Sequence, residues 1–358
     1  MIILGIESSC DETAAAVVRD GKEIMSSIIS SQIAKHRPFG GVVPELASRE
    51  HLRIIEPVVS QALGDANVRF DQIDGIAVTK GPGLIGSLLV GVSYAKALAY
   101  GGGKPIVGVN HIEGHVYSVV FENPKIVYPA MALIVSGGHT NLFWIPQEGR
   151  YKVISRTRDD AAGEAFDKVS KMLGLGYPGG PAIEKTARSG DRNAIRFTKP
   201  KISDGRPDFS FSGLKTAVSR HIKEHQIEPL ADGKLPSQSI KDLAASFQSA
   251  VVNSLIGTME NQALELGPKT LIVAGGVACN LELREAATKM AARIGVPVYF
   301  PSKHLSTDNA AMIAAAGYRR LKAGESDDMN MAADITMRLQ NLDNIDDELR
   351  KKKVRYKL

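Results

Sequence analysis

Two histidines four residues apart, in Asn110-His111-Ile112-Glu113-Gly114-His115, are the residues here whose types and spacing most readily do chemistry. On a helix, side chains at i and i+4 share a face. Two imidazoles placed that way can grip one metal ion. The preceding run, Pro105-Ile106-Val107-Gly108-Val109, reads as a strand, and Val116 to Phe121 is largely apolar with no breaker. The histidines are therefore predicted in the first turns of a helix. Asn110 is a favoured N-cap, and Glu113 three positions on completes a capping-box pattern, which assigns Glu113 to capping rather than catalysis. The positive end of the helix dipole disfavours imidazolium, so both histidines are expected to be neutral near pH 7. Gly114 costs about 1 kcal/mol against Ala in a helix, which suggests that another element approaches closely there. An isolated pair of this kind is better read as two partly buried histidines without a metal, so the rest of the chain has to decide.

The elements that must hold this segment follow from composition and pattern. At 358 residues the chain is long enough for two lobes, each with its own core. An apolar fraction of 44% with 34 glycines fits an α/β protein whose loops carry function. The net charge of +5 is compatible with a nucleic-acid partner without demanding one. Cys10 and Cys279 form no CxxC motif, which suits a reducing cytoplasm. Met1 runs directly into Ile2-Ile3-Leu4-Gly5-Ile6, so no signal peptide is expected, and no apolar stretch reaches the length of a transmembrane helix.

Taken in order, residues 1–20 read as a hairpin whose turn, Ser8-Ser9-Cys10-Asp11-Glu12-Thr13, is dense in hydroxyls and carboxylates. Such a turn can take a phosphate and its counter-cation, or be an ordinary polar turn. Residues 50–63 show helical spacing at Leu52, Ile55, Val58 and Val59, and residues 73–78 a strand. Lys80 to Ser87 is a glycine-rich turn opening a helix over 88–100; its spacing is not that of a Walker A motif. Residues 131–135, a Ser136-Gly137-Gly138-His139-Thr140 turn and residues 141–145 repeat the strand–Ser/Thr turn–strand unit of residues 2–18. Two lobes that each begin this way resemble the α/β, duplicated actin-like or sugar-kinase-like (ASKHA) fold, and the resemblance implies nucleotide in the inter-lobe cleft. Further on, the pattern predicts a helix to Leu173, a glycine-rich loop over 174–181, irregular chain over 199–212 and a long helix over 240–265. A strand with a Gly275-Gly276 turn, a strand over 296–300, a turn over 304–308 and a helix over 309–321 complete it. The expected division is 1–128, 129–325, with the last helix able to pack back on the first lobe, and a charged extension over 326–358. The basic end of that extension can lie on a phosphate backbone or be a solvated terminus.

With these segments assembled, the chain resembles the TsaD family of tRNA N6-adenosine threonylcarbamoyltransferases, of bacterial type. The resemblance covers residues 1 to about 325. It is carried by GIESSCDETAAAVV at 5–18, NHIEGH at 110–115, VSGGHT at 135–140, AAGEAFDK at 161–168, YPGGP at 177–181, FSFSGLKTAV at 209–218, GGVACN at 275–280 and STDNAAM at 306–312. It implies transfer of a threonylcarbamoyl group from threonylcarbamoyl-AMP to N6 of adenine 37 in tRNAs reading codons that begin with A. It also implies an iron ion, Fe2+ with Zn2+ as the other choice, on His111, His115 and Asp308. Asp308 would close the ligand set from the opposite lobe, or else only cap the helix that follows. Substrate contacts are implied at Ile134, Val135, Ser136, Gly137, Gly138, Asp167, Gly180 and Asn280, with Glu184 at the ribose. His139 is a candidate for removing the N6 proton. Implied partners are tRNA and the proteins TsaB and TsaE, in the cytoplasm and without a membrane.

Two other readings have distinct signatures. A zinc protease of the HExxH type needs Glu directly after the first His, where this chain has Ile112; Glu113 lies about 100° further round the helix. A small-molecule kinase would share the fold but has no use for the histidine pair.

Overall fold

The computed structural model describes residues 1–198, 202, 204–231 and 233–342. Part of the segment expected to be irregular over 199–212, and the basic run after 342, lie outside the described residues.

The first lobe opens with strands β1 (Ile2–Glu7), β2 (Glu12–Arg19) and β3 (Glu23–Ser31). Helices α1 (Ile33–His36) and α2 (Pro44–Asp65) follow, then β4 (Gly75–Gly81), α3 (Ile85–Gly102), β5 (Ile106–Asn110) and α4 (His111–Val120). The second lobe holds β6 (Ala130–Val135), β7 (Thr140–Gln147), β8 (Arg150–Arg156), α5 (Ala162–Met172), α6 (Gly179–Ala187), α7 (Ser212–Glu224) and α8 (Gln238–Leu266). It ends with β9 (Thr270–Ala274), α9 (Leu281–Ile294) and β10 (Val298–Tyr299), after which α10 (Lys303–Ser306) and α11 (Ala310–Lys322) return to the first lobe.

The two sheets are ordered β3-β2-β1-β4-β5 and β8-β7-β6-β9-β10. In each, two antiparallel pairings are followed by two parallel ones, so the repeat read from the two hairpins extends through all five strands. The central strands are buried on both faces, as parallel sheets require. On the first sheet α2 and α3 cover one face and α11 the other. On the second, a core containing α5, α8 and α9 covers one face, and α4 packs against the other.

Helix α11 lies so close to the first sheet that side chains are excluded at the contact. A Cβ on Gly5 would stand 2.2 Å from the Ala310 carbonyl oxygen, and one on Gly317 2.4 Å from Ala77 Cβ. Gly114 meets α11 as well: a Cβ there would be 2.9 Å from Ile313 Cδ1, which explains the glycine in the first turns of α4.

Several elements differ from the sequence reading. Helix α2 begins at Pro44, and Leu52 is 72% exposed rather than part of its buried face. Edge strands β3 and β8 were not foreseen. The glycine-rich loop ends early, because α6 already starts at Gly179, and the last strand shrinks to Val298–Tyr299. Residues 326–342 run back over the first lobe: Asp327 pairs with Ile106, Met331 enters the core, and Asp334 N–H donates to the Lys80 carbonyl. They then cross to the second, where the Asn341 side chain accepts from Tyr151 N–H.

Candidate metal and nucleotide site

Strand β5 ends at Asn110, whose side-chain oxygen accepts from the backbone N–H of Ile112 at 2.9 Å and Glu113 at 3.4 Å. That cap starts α4 at His111 and places His111 and His115 on one buried face, as the spacing predicted. Glu113 does not return to the cap. Its carboxyl is hydrogen-bonded with Tyr151, and burial pushes it above the usual carboxylate range. The capping-box assignment is thus corrected, and Glu113 belongs to a buried polar contact with β8.

Asp308 is not an N-cap either. Asn309 caps α11, accepting from Met312 N–H at 2.9 Å, which leaves the Asp308 carboxylate free to face the histidines. Its Oδ1 lies 3.5 Å from His111 Nε2 and 3.3 Å from His115 Nε2. The three potential ligand atoms fall within 4.8 Å of one another. Asp308 does not arrive from the opposite lobe: α11, which follows it, packs on the first sheet and on α4.

The donor set fits a cation. Both ring nitrogens of His115 are buried without a well-aligned hydrogen bond among the described residues, an expensive arrangement that a metal bond at Nε2, the nitrogen facing Asp308, would relieve in part. Burial disfavours the charged carboxylate of Asp308, yet His111, with His115 and His139, holds it well below the usual range. The expectation of a neutral His111 rested on the helix dipole alone, and two carboxylates now oppose it. Burial lowers its pKa, but Asp308 and Glu7 outweigh that and raise it to about 9. Two carboxylates in contact exceed the helix dipole, and a bound cation would take the place of that proton.

Glu7 is the residue beside the candidate site that the sequence reading missed. It is fully buried at the end of β1 and accepts from Ser9 N–H, from Thr79 Oγ1 at 2.6 Å and from His111 Nδ1 at 3.0 Å. The signal was present only as a carboxylate closing an apolar strand.

Beside the triad is a cleft of about 560 Å³ lined by both lobes. Ser136, Gly137, Gly138, His139, Asp167, Gly180, Glu184 and Asn280 line it, with His111 and Asp308. Ile134 and Val135 do not: both are fully buried in β6, Ile134 in the core shared with α4. A Cβ on Gly137, Gly138, Gly180 or Gly276 would meet nothing within 4 Å, so these glycines present bare backbone to open space. Gly275, at φ +93°, and Gly163 instead allow close backbone packing, against the Val135 and Ser136 carbonyls. Asp167 accepts from Gly179 N–H at 2.7 Å, tying α5 to α6. Glu184 Oε1 stands 3.4 Å from Leu281 N, and Asn280 caps α9 while donating to Gln248. His139 lies with its ring centroid 6.3 Å from that of His111. Burial, with His111 and His115, drives its pKa down to about 3, so it is neutral. The Ser9–Glu12 turn also borders the cleft, as do Tyr177 and, from the C-terminal segment, Ile335.

Comparison with known proteins agrees with this architecture. Residues 23–315 match the family described as TsaD: tRNA N6-adenosine threonylcarbamoyltransferase. A protein of that name from Koribacter versatilis (strain Ellin345) is 50% identical, covering 95% of this chain and 99% of its own. Another, from Geobacter sp. (strain M21), is 52% identical over 93% and 95%. Among solved structures, HypF of T. kodakarensis aligns with a TM-score of 0.61 at 13% identity, over 90% of this chain and 48% of that one. Component A of the Acidaminococcus fermentans (R)-2-hydroxyglutaryl-CoA dehydratase aligns at 0.53 and 15% identity, over 91% and 100%. These distant likenesses concern the fold alone and agree with the two-lobed ASKHA-type α/β arrangement. By sequence, fold and extent of match, the chain belongs to the TsaD family of tRNA N6-adenosine threonylcarbamoyltransferases.

Proposed function

We propose that this chain transfers the threonylcarbamoyl group of threonylcarbamoyl-AMP to N6 of adenine 37 in tRNAs that read codons beginning with A. The observation that carries the reading is the His111–His115–Asp308 triad opening onto a glycine-lined nucleotide-sized cleft. His111, His115 and Asp308 would hold the ion, Fe2+ or Zn2+, and leave positions open, as two-histidine, one-carboxylate sites do. When bound, the ion supplies Lewis-acid polarisation of an acyl oxygen.

The chain's own groups do the rest. Backbone N–H groups at Gly137, Gly138 and Gly276 suit the adenylate phosphate. Asp167, Gly180, Glu184 and Asn280 suit its nucleoside end. The N6 amine is a weak nucleophile because its lone pair is shared with the ring, so fixing it in line matters more than raw basicity. Neutral His139 suits a hydrogen bond to that amine better than strong general-base work, given its low basicity. Partner proteins, TsaB and TsaE by resemblance, are part of the proposal. A shallow apolar groove between α2 and α3, lined by the exposed Leu52 and Leu89, supports a protein contact. The cytoplasm is the proposed location, and no helix among the described residues is long and apolar enough to cross a membrane.

Proteolysis is disfavoured because Glu113, engaged with Tyr151, is not positioned as a base for water on the triad. The test is nucleoside analysis of tRNA from cells depleted of this protein, with reconstitution alongside the partner proteins. Loss of threonylcarbamoyladenosine, restored by the wild-type chain, is expected; an unchanged nucleoside profile would refute the proposal.

A further inference from the structure

We propose that Glu7 is a positioning residue for the candidate metal site: its carboxylate fixes the proton of His111 on Nδ1, so that Nε2 is presented to a cation. The inference rests on reading the triad as a metal site.

Glu7 is an unusual residue to find where it is. A carboxylate with no exposed surface carries a desolvation cost of several kcal/mol unless its oxygens are satisfied. Here they are, by donors from three separate elements. Ser9 N–H donates from the β1–β2 turn and Thr79 Oγ1 from β4, while His111 Nδ1 contacts it from α4. Parallel pairing of Ile6 with Val78 brings Thr79 alongside, so the sheet register itself sets the carboxylate's position. The hydroxyl and the amide can only orient it. The imidazole is the one partner whose chemistry the carboxylate can change.

The ring geometry completes the argument. His111 Nδ1 faces Glu7 Oε2 and Ser9 Oγ, whereas Nε2 faces Asp308 Oδ1 at 3.5 Å. A proton on Nδ1, donated to Glu7, leaves the Nε2 lone pair pointing into the triad. A carboxylate behind a ligating imidazole fixes its tautomer and raises its basicity. His115 has no such partner among the described residues, since its Nδ1 is buried without a hydrogen bond. The two ligands are therefore unequal, and His111 is the one whose orientation is enforced from behind.

The substitution Glu7→Gln tests this at nearly constant volume. With the amide oxygen on Ser9 N–H, the amide NH2 falls opposite His111 Nδ1 and favours the opposite tautomer. Cobalt(II) titration of the metal-free chain, followed by visible absorption, should show a loss of affinity of about 10–100-fold. In zinc-loaded wild-type protein, the low-field Nδ1–H resonance of His111, assigned by its loss in His111→Ala, should vanish or move upfield in Glu7→Gln. Glu7→Asp, which keeps the charge but retracts it, should show the same cobalt loss; it decides the matter if circular dichroism shows Glu7→Gln unfolded. Wild-type-like cobalt affinity in a folded Glu7 variant would overturn the proposal while leaving the triad intact. Failure of the wild-type chain to bind cobalt would instead remove the metal site itself, and this inference with it.

Discussion

The substitution Gly5→Ala reaches the candidate site through the sheet rather than through a ligand. Gly5 lies in β1 directly beneath the first turn of α11, and an added Cβ would stand 2.2 Å from the Ala310 carbonyl and 2.9 Å from Ala314 Cβ and N. Tight Cβ contacts begin near 3.4 Å, so the helix start must move by about 1.2 Å. The obstacle is backbone, which no rotamer change relieves. Overpacking of this kind costs about 1–3 kcal/mol. The lower unfolded-state entropy of Ala returns only about 0.4–1 kcal/mol. A drop in Tm of a few degrees follows, at roughly 2–4 °C per kcal/mol for large domains. Asp308 lies two residues before Ala310, so the same displacement shifts it relative to the histidines, and an error of about 1 Å can cost about 10²-fold in rate. Gly75→Ala is the matched control. Its Cβ would meet Leu321 Cδ1 at 2.8 Å, the mobile end of a side chain at the far end of the same helix. Thermal melts, cobalt titration and a reconstituted transfer assay should separate the two: Gly5→Ala loses stability, metal affinity and rate, Gly75→Ala mainly a little stability. Equal cobalt affinity in the two variants would refute the link between β1 and the triad.

His111→Ala and Asp308→Ala should each reduce threonylcarbamoyl transfer by more than about 10²-fold while circular dichroism stays native; wild-type turnover by either would defeat the ligand assignment. Burial raises the Asp167 pKa from its ordinary 3.8 to about 6, with Asp11 and Glu164 adding to the rise and Gly179 N–H opposing it. The stability this group contributes is therefore complete below pH 3.8 and is lost as pH climbs through 6. Asp167→Asn should then raise Tm at pH 8 but not at pH 4, and a pH-independent difference in melts would count against it. Asn280→Ala removes the cap on Leu283 N–H and the donor to Gln248, which should cost about 1–3 kcal/mol in urea denaturation.

Local chemistry was readable where it was written locally. The two hairpins announced themselves by apolar strands around Ser/Thr turns, and Asn110 before an apolar run gave the start of α4 to the residue. The histidine spacing suggested a metal, but Asp308 entered only through family resemblance. Its distance in sequence hides that Asn309 takes over capping and frees it. Glu7 was read as part of a polar turn because burial of a strand-end carboxylate is decided by Thr79, 72 residues later. Strands β3 and β8 escaped notice as half-exposed edges rich in polar residues. Helix α6 was obscured by its own glycines. Gly179 is there because a Cβ would stand 2.5 Å from the Phe166 carbonyl oxygen and from Asp167 Cα. Leu52 shows the converse failure, a residue at helical core spacing that faces outward.

Helix α4 is shared between the halves of the molecule, with α11 against one side and β6 and β9 against the other. A swing that widens the mouth would carry Gly137, Gly180 and Gly276 away from the imidazoles while His111, His115 and Asp308 kept their mutual spacing. On the proposed reading, a spent nucleotide would then leave without disturbing the spacing of the three candidate ligands.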